Sequence, residues 1–260
     1  MKLLNLPRYW KQCRQVQATM DVDQHYVPYG QHPRQYSITV QNRDPEQRRP
    51  GRYAFYFHGG AWTFGRPETF TPAAIPWLAE GFTVIFPSYR RPPFVGLNRI
   101  VADCFSAVQH FAAEAGHNPT IHVGGISAGA HLAAVLATAP DWWQRHWGAA
   151  PEKVLCCGGP LSFKRLKTGR FLLPRYDSID AIQRVPPASL AQPQRWQLLH
   201  GDKDPVVVYQ HSVDFLAELR RQGYPAELHT LPGGLHLDAG RWMFGEQASD
   251  VVSGFISSQP

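Results

Sequence analysis

The chain has no long hydrophobic run. Its 260 residues contain no stretch of about 18 consecutive apolar residues, so no membrane-spanning helix is expected. The N-terminal sequence, MKLLNLPRYWKQCRQ, has only a short apolar segment and lacks a small-residue cleavage site, which argues against a signal peptide. We therefore expect a cytoplasmic protein.

Cysteine is scarce, with four residues in the whole chain. Cys156 and Cys157 are adjacent, Cys13 and Cys104 are far from them and from each other, and no C-x-x-C pair occurs. This spacing predicts neither a disulfide framework nor a zinc site. Reduced and mostly buried thiols are the simplest interpretation.

Motifs for nucleic-acid binding are also missing. The net charge is +6, and basic residues gather at 47–52, 89–93 and 163–175. No RNA- or DNA-binding motif with interleaved aromatic residues accompanies these clusters. They indicate a solvated basic surface, and we expect no nucleic-acid partner.

Short β-rich runs alternate with longer helical patterns along the chain. Strands are predicted at 36–42, 53–59, 82–89, 120–125, 154–159, 196–201 and 226–231. Apolar residues recur every three or four positions in the predicted helices, 97–115, 127–138 and 209–222. This alternation predicts an α/β fold with a mostly parallel central sheet and helices on both faces.

Residues 160–194 interrupt the alternation. The segment contains five prolines and shows no clear periodicity, which favours a small cap or loop insertion over one end of the sheet. The chain otherwise contains no internal repeat, low-complexity tract or linker. With 43% hydrophobic and 18% charged residues, it is expected to form a single domain over residues 1–260.

One serine lies where a predicted strand turns into a helix. Ser127 is the centre of a G-x-S-x-G sequence, residues 125–129, between TIHVGG and AHLAAVLAT. Small neighbours permit a sharp turn, and the helix N-terminus offers free N–H groups to a developing oxyanion. A helix-capping serine after a glycine turn is the alternative interpretation, and the pentapeptide alone does not decide between them.

A serine nucleophile needs a general base and an acid that orients the base, which in strand–turn–helix hydrolases follow in the order Ser, Asp, His. The sequence LLHGDKDPVV, residues 198–207, leaves a predicted strand with Asp202 and Asp204. LPGGLHLD, residues 231–238, leaves another with His236. Turn aspartates and an ordinary loop histidine are the alternatives, but all three groups at strand exits in this order favour catalysis.

The sequence FYFHGGAWTFG, residues 55–65, supplies a fourth element. Two glycines after a strand allow backbone N–H groups to turn toward a carbonyl oxygen, as in one half of an oxyanion hole. The N–H of the residue after the nucleophile, Ala128, would complete it. A plain glycine turn is the alternative.

Together, HGGAW, GISAGAHLAA, HGDKDPVV and GGLH resemble the HGGxW branch of the α/β-hydrolase fold. This branch includes hormone-sensitive-lipase-like carboxylesterases, small bacterial esterases and kynurenine formamidases. The resemblance runs from about residue 28 to 240. It implies the α/β-hydrolase fold, with Ser127 as nucleophile, Asp204 as acid and His236 as base. Asp202 is then expected to hydrogen-bond the turn backbone.

The same resemblance implies that the backbone amides of Gly60, Ala61 and Ala128 are the oxyanion donors. Ala61 replaces a third glycine of the family, which leaves open which two of residues 59–61 point inward. SYRRPP resembles the Y-R motif of the family, and it implies that Arg90 braces the fold, with Asp103 as the expected partner.

The expected function is a carboxylesterase that cleaves a small-molecule ester through an acyl-enzyme, with no metal and no organic cofactor. An arylformamidase or amidase, such as an N-formylkynurenine hydrolase, is one alternative. A non-catalytic binding protein on a hydrolase fold is the other.

Two segments bear on the substrate pocket. Lipase-like members often carry a long N-terminal cap, whereas few residues precede the first motif here, so residues 160–194 are expected to supply most of the pocket cover. The tryptophans of DWWQRHW, from Trp142 to Trp147, could line an acyl pocket or form a homodimer contact. Aromatic residues at helical spacing are more often part of the core.

Overall fold

A computed structural model describes residues 5–166, 179–189 and 193–258. Its central sheet has eight strands in the described part of the chain. Numbered along the chain, the strands are β1 (Val22–Pro28), β2 (Tyr36–Asn42), β3 (Arg52–Phe57), β4 (Thr83–Pro87), β5 (Thr120–Ile126), β6 (Lys153–Cys157), β7 (Arg195–Gly201) and β8 (Ala226–Leu231). Their order across the sheet is β1-β2-β4-β3-β5-β6-β7-β8.

The α-helices are α1 (Leu6–Gln17), α2 (Ile75–Ala79), α3 (Leu97–His110), α4 (Ala128–Ala137), α5 (Pro140–Trp147), α6 (Ala181–Arg184), α7 (Gln210–Arg221) and α8 (Ser249–Ser257). Two longer 3₁₀ helices span Pro67–Ala74 and His236–Phe244. Within the described residues, no helix combines the length and the apolar character that crossing a membrane would require.

Six neighbouring strands, from β4 across to β8, run parallel, whereas β1 and β2 are antiparallel additions at one edge. β6 is buried along its whole length, and β5 is buried except at its first residue. This burial on both faces explains why these strands are nearly continuous apolar runs in the sequence. The predicted α/β fold with a mostly parallel sheet is confirmed.

A hydrophobic core covers each face of the sheet. Phe55 and Tyr56 are adjacent on β3 and therefore point to opposite faces. Phe55 belongs to the core that also contains residues of α3, α4, α5 and α7. Tyr56 belongs to the core built with α1, α2 and α8. Because six of the strands are parallel, their carboxyl ends lie at one edge of the sheet, where ligand sites of such folds are found.

The predicted strands agree with the observed ones to within two residues at each end. The helix predicted over 97–115 stops earlier, because α3 ends at His110 and a 3₁₀ turn, Ala112–Glu114, follows. β1 was not predicted, because this edge strand is largely exposed and lacks an apolar alternation. α1 and α8 were also missed.

The brace expected of Arg90 is confirmed. Its Nε and Nη2 donate to the two oxygens of Asp103 at 2.9 and 2.6 Å, and its backbone N–H donates to the same carboxylate at 3.0 Å. Asp103 is buried on α3 and also accepts a hydrogen bond from Gln35 Nε2. This bidentate pair ties the loop after β4 to α3.

The tryptophan cluster lies on α5 and packs mainly inward. Trp143 and Trp147 are buried and contact the ring of Phe55. Trp143 Nε1 donates to the carbonyl of Leu136 at 2.8 Å. These two side chains therefore belong to the core beneath the sheet.

The predicted cap at 160–194 is described only in part, because residues 167–178 and 190–192 lie outside the described residues. Its described portions include a 3₁₀ turn, Phe163–Arg165, and the short helix α6. The cap and the single domain over residues 1–260 stay predictions.

Candidate active site

Ser127 occupies the sharp turn between β5 and α4. Its backbone has φ 55° and ψ −124°, a conformation that non-glycine residues rarely adopt and that costs ~1–3 kcal/mol. Its N–H donates to the carbonyl of Cys157 at 2.7 Å, and its own carbonyl accepts from Ala130 N at 3.0 Å. The end of β6 and the first turn of α4 thus hold the strained residue in place.

The two glycines of G-x-S-x-G are required by close backbone contact. A Cβ on Gly125 would lie 2.4 Å from the backbone of Gly129, and a Cβ on Gly129 would lie 2.0 Å from the carbonyl oxygen of Phe57. No other residue leaves room for these approaches. They bring the N-terminus of α4 against the end of β3.

Ser127, His236 and Asp204 form a continuous chain of hydrogen bonds. His236 Nε2 lies 2.9 Å from Ser127 Oγ, and His236 Nδ1 lies 2.7 Å from Asp204 Oδ2. A carboxylate can only accept, so Nδ1 carries a proton and Nε2 is free to accept the serine proton. Asp204 follows β7, and His236 begins the 3₁₀ helix after β8.

Asp204 is held by four donors. Oδ1 accepts from the backbone N–H groups of Val206 and Val207 at 2.8 and 3.0 Å. Burial alone would raise the pKa of Asp204, but the hydrogen bonds from His200 and His236 outweigh burial and hold its pKa well below the usual range. The side chain is therefore ionised at neutral pH and can stabilise a positive charge on His236.

Asp202 makes a different contact from the one expected. Its Oδ1 accepts from the N–H of Gly233 at 2.7 Å, so it bonds the loop before His236 and not the backbone of its own turn. Lys203 N also donates to the carbonyl of Gly234 at 3.0 Å. The expected partner was wrong because sequence spacing does not show that the two loops touch.

The loop after β3 presents backbone donors beside Ser127. His58 Nδ1 donates to the carbonyl of Gly59 at 2.8 Å, so the Gly60 N–H on the same trans peptide points the opposite way. The Gly60 carbonyl accepts from the N–H groups of residues 63 and 64 at 2.9 Å. The Ala61 N–H lies on the opposite side of the same peptide and therefore points away from that turn. Neither amide has a backbone acceptor among the described residues.

The amides of Gly60 and Ala61 are therefore free to donate to a ligand beside Ser127. A Cβ on Gly60 would lie 2.1 Å from the Phe64 carbonyl oxygen, so this tight turn requires glycine. Ala61 has a positive φ of 48° without being glycine. Ala128 is the first residue of α4, and its N–H has no backbone acceptor in residues 5–166, 179–189 or 193–258.

Two buried histidines near the site were not assigned a role by sequence reasoning. His58 stacks on the ring of Tyr89, with centroids 4.6 Å apart, and burial lowers the pKa of His58 to about 3, so it is neutral. His200 lies at the end of β7 and contacts Asp204, Val207 and Ser212. Both residues are visible in the motifs HGGAW and HGDKDPVV, but their burial is not.

A largely apolar pocket opens beside Ser127 and His236. Its volume is about 180 Å³, and α1 forms one wall through Leu6, Tyr9 and Trp10. The other apolar walls come from Phe64, Phe70, Ile126, Val206 and Leu237. Among the described residues the N-terminal helix thus supplies the pocket wall that was expected mainly from residues 160–194.

Comparison with known proteins finds a family model described as alpha/beta hydrolase fold, which matches residues 54–157. Kynurenine formamidases of Danio rerio and Salmo salar are each 32% identical to this chain over 89 residues. That segment is 34% of this chain, and it spans only 30% of the length of these curated relatives. The matches confirm the resemblance to the HGGxW branch.

Several solved structures are similar over most of the chain. A truncated carbohydrate esterase from gut microbiota has a TM-score of 0.74 at 18% identity, covering 89% of this chain and 94% of that chain. Esterase B from Lactobacillus rhamnosis has a TM-score of 0.72 at 18% identity, covering 95% and 88%. Thermogutta terrifontis esterase 2 has a TM-score of 0.71 at 21% identity, covering 91% and 97%. These likenesses show that the chain has the α/β-hydrolase fold.

Proposed function

We propose that this protein of the α/β-hydrolase fold is a serine carboxylesterase that cleaves small carboxylic esters through an acyl-enzyme. The observation that carries the proposal is the hydrogen-bonded chain Ser127–His236–Asp204, which ends at the wall of an apolar pocket. The strained backbone of Ser127 and the free amides beside it support the same reaction.

Acylation begins when Ser127 Oγ attacks the ester carbonyl carbon and His236 Nε2 takes the hydroxyl proton. The electron pair of the carbonyl moves to its oxygen, which accepts hydrogen bonds from the amides of Gly60, Ala61 and Ala128. When the tetrahedral intermediate collapses, the bond to the leaving oxygen breaks. His236 then gives its proton to that oxygen, and the alcohol departs.

Deacylation repeats these steps with water in place of serine. His236 Nε2 takes a proton from water, whose oxygen attacks the acyl carbon, and the same amides stabilise the oxyanion. The acyl–oxygen bond breaks, Ser127 Oγ recovers its proton from His236, and the carboxylic acid leaves. Asp204 keeps the proton on Nδ1 throughout and stabilises the imidazolium that forms twice in each cycle.

The pocket supports a small apolar group on the substrate. Its volume of about 180 Å³ is slightly larger than a cavity of roughly 150 Å³ that holds benzene. The walls from Tyr9, Trp10 and Phe70 offer hydrophobic contact and few polar partners. We therefore favour esters that carry a short aliphatic chain or a single ring.

An arylformamidase is the second candidate, and the segment shared with the two kynurenine formamidases favours it. The same groups could attack a formyl carbon and protonate an aromatic amine as it leaves. Turnover of N-formylkynurenine and of p-nitrophenyl acetate by one preparation separates the two candidates. We expect the ester to have the higher kcat/KM, and a preference for the formamide would reverse the assignment.

Labelling with a fluorophosphonate probe tests the serine chemistry itself, because only an activated serine reacts. The wild type should be labelled stoichiometrically at Ser127, whereas Ser127→Ala should fold, resist labelling and lose ester hydrolysis. Ser162→Ala is the control, since Ser162 is buried outside the described pocket. An unlabelled wild type without esterase activity would favour the non-catalytic binding protein.

A further inference from the structure

We propose that His200 is a positioning residue of this site, which fixes the carboxylate of Asp204 and through it the orientation of His236. The inference rests on the proposed function, because it assigns His200 a part in the proton transfer between Ser127 and His236.

The contacts of His200 indicate which of its two ring nitrogens carries the proton. It is fully buried at the end of β7, and its Nε2 lies 2.8 Å from the carbonyl oxygen of Val207 and 3.2 Å from Asp204 Oδ2. Both oxygens can only accept, so Nε2 carries the proton and shares it between them. Nδ1 lies 2.7 Å from Ser212 Oγ on α7, and with the proton on Nε2 it accepts a hydrogen bond from the Ser212 hydroxyl.

Both oxygens of the Asp204 carboxylate are therefore held by donors. Asp204 Oδ1 accepts from the two backbone N–H groups of Val206 and Val207, while Oδ2 accepts from His236 and His200. His200 also holds the carbonyl of Val207, so it anchors the loop that supplies the Oδ1 donors. Ser212 in turn fixes the imidazole of His200 from α7.

His200 and His236 both donate to Asp204 Oδ2, so the loss of His200 should shift the pH–rate profile in one direction. A donor on Asp204 Oδ2 withdraws negative charge from the oxygen that stabilises protonated His236. Without that donor, Oδ2 should favour the imidazolium form more strongly, so the acid limb of the pH–rate profile should move to higher pH. Because the carboxylate is also less well fixed, kcat should fall.

The other ionisable groups near His200 should not change the direction in which the pH midpoint moves. Asp204 and His236 face it from the loops, and Tyr209 and His211 face it from the α7 side. The Tyr209 hydroxyl is paired with Thr230 at 2.5 Å. Burial lowers the pKa of His211 to about 4, so His211 is uncharged in the pH range of the assay.

The first variant is His200→Asn, whose amide can take the place of Nδ1 beside Ser212 but does not reach Asp204. We expect kcat to fall at least about tenfold, the rate factor of a lost hydrogen bond to a charged group. KM should stay within about twofold, because His200 does not line the pocket. The midpoint of the acid limb should rise by several tenths of a pH unit or more.

The conservative and control variants separate positioning from stability. His200→Gln places an amide donor near the position of Nε2, and it should recover most of the rate and the wild-type pH midpoint. His122→Asn is the matched control, because His122 is equally buried in β5 and accepts from Trp77 Nε1 at 3.1 Å without contacting Asp204. It should lower the melting temperature and leave the pH profile unchanged.

Ser212→Ala keeps the test decisive if His200→Asn does not fold. It removes the anchor of Nδ1 and should lower kcat several-fold with the same upward shift of the pH midpoint. The proposal is overturned if folded His200→Asn or Ser212→Ala matches His122→Asn in kcat and pH midpoint, or if the midpoint moves down. An unlabelled and inactive wild type overturns the proposed function, and the positioning role with it. With an active wild type, the variants test the role of His200 alone.

Discussion

The amide substitution Asp204→Asn tests the orientation of the proton-transfer chain most directly. The carboxylate accepts on both sides, from two backbone N–H groups at Oδ1 and from two imidazoles at Oδ2. An asparagine must therefore turn its oxygen toward the N–H groups of Val206 and Val207, because the opposite orientation would face an amide donor against two backbone donors. Its NH₂ group then faces His236 and His200.

This orientation reverses the hydrogen bond to His236. The NH₂ group can only donate, so Nδ1 of His236 becomes an acceptor and its proton moves to Nε2. Nε2 can then no longer take the proton of Ser127. In the best-studied serine protease the same change costs ~10⁴ in kcat, and we expect a loss of that order here. The NH₂ group also meets the N–H of His200, so some stability should be lost as well.

Asp202→Asn is the matched control, two residues away in the same turn. The Oδ1 atom of asparagine can still accept from Gly233 N, the contact that Asp202 makes at 2.7 Å. We expect kcat within a fewfold of wild type and at most ~1 kcal/mol lost in the free energy of unfolding. Steady-state kinetics with a p-nitrophenyl ester and thermal melts check both variants. An inactive Asp202→Asn beside an active Asp204→Asn would refute the reasoning.

Further outcomes are expected from other parts of the structure. The rate of ester hydrolysis should fall at acid pH, since only neutral His236 can take the proton of Ser127; a rate that is constant from about pH 5 to 8, with chemistry limiting, would remove it as the base. Burial lowers the pKa of His131 to about 4, so the unfolded chain binds this proton first, and His131 alone should contribute a stability loss of up to ~3 kcal/mol between about pH 6.5 and 4. In urea melts across this window, His131→Gln should reduce that slope, and an unchanged slope would contradict the cause. Trp10→Ala removes part of the pocket wall on α1, so the kcat/KM for a hexanoate ester relative to an acetate ester should rise by roughly tenfold. An unchanged ratio would argue against this pocket as the acyl site. Gly129→Ala would place a Cβ 2.0 Å from the Phe57 carbonyl oxygen, so both activity and melting temperature should drop, and normal values would show that the close approach is relaxed.

The sheet was predictable because its strands are buried on both faces. Runs such as those of β5 and β6 are apolar throughout, and the segments between them have helical periodicity, which is enough to place the parallel strands. β1 and α1 carry little of either signal. β1 is an exposed edge strand, and α1 buries only Tyr9 and Cys13.

The pocket was less predictable than the site residues beside it. A motif places Ser127 and His236 at strand ends, and strand ends of a parallel sheet meet at one edge. The wall from α1 depends on how a distant helix folds back on that edge, which no local pattern shows. The same holds for the contact between Asp202 and Gly233, which joins two loops 31 residues apart.

The structure distinguishes between the two interpretations that the sequence allows for Ser127. The sequence alone leaves it as either a nucleophile or a helix cap, since it does stand at the position that precedes α4. A capping serine has an extended backbone and its Oγ accepts from the first turn of the helix. With φ at 55°, the side chain of Ser127 makes no capping bond, and its Oγ lies 2.9 Å from His236 Nε2 instead. The capping interpretation is therefore wrong. The hydrogen bond from the Ser127 N–H to the carbonyl of Cys157 helps to hold this backbone, which costs ~1–3 kcal/mol. Because the Ser127 side chain makes no capping bond, the N–H groups of the first turn of α4 stay free to stabilise an oxyanion.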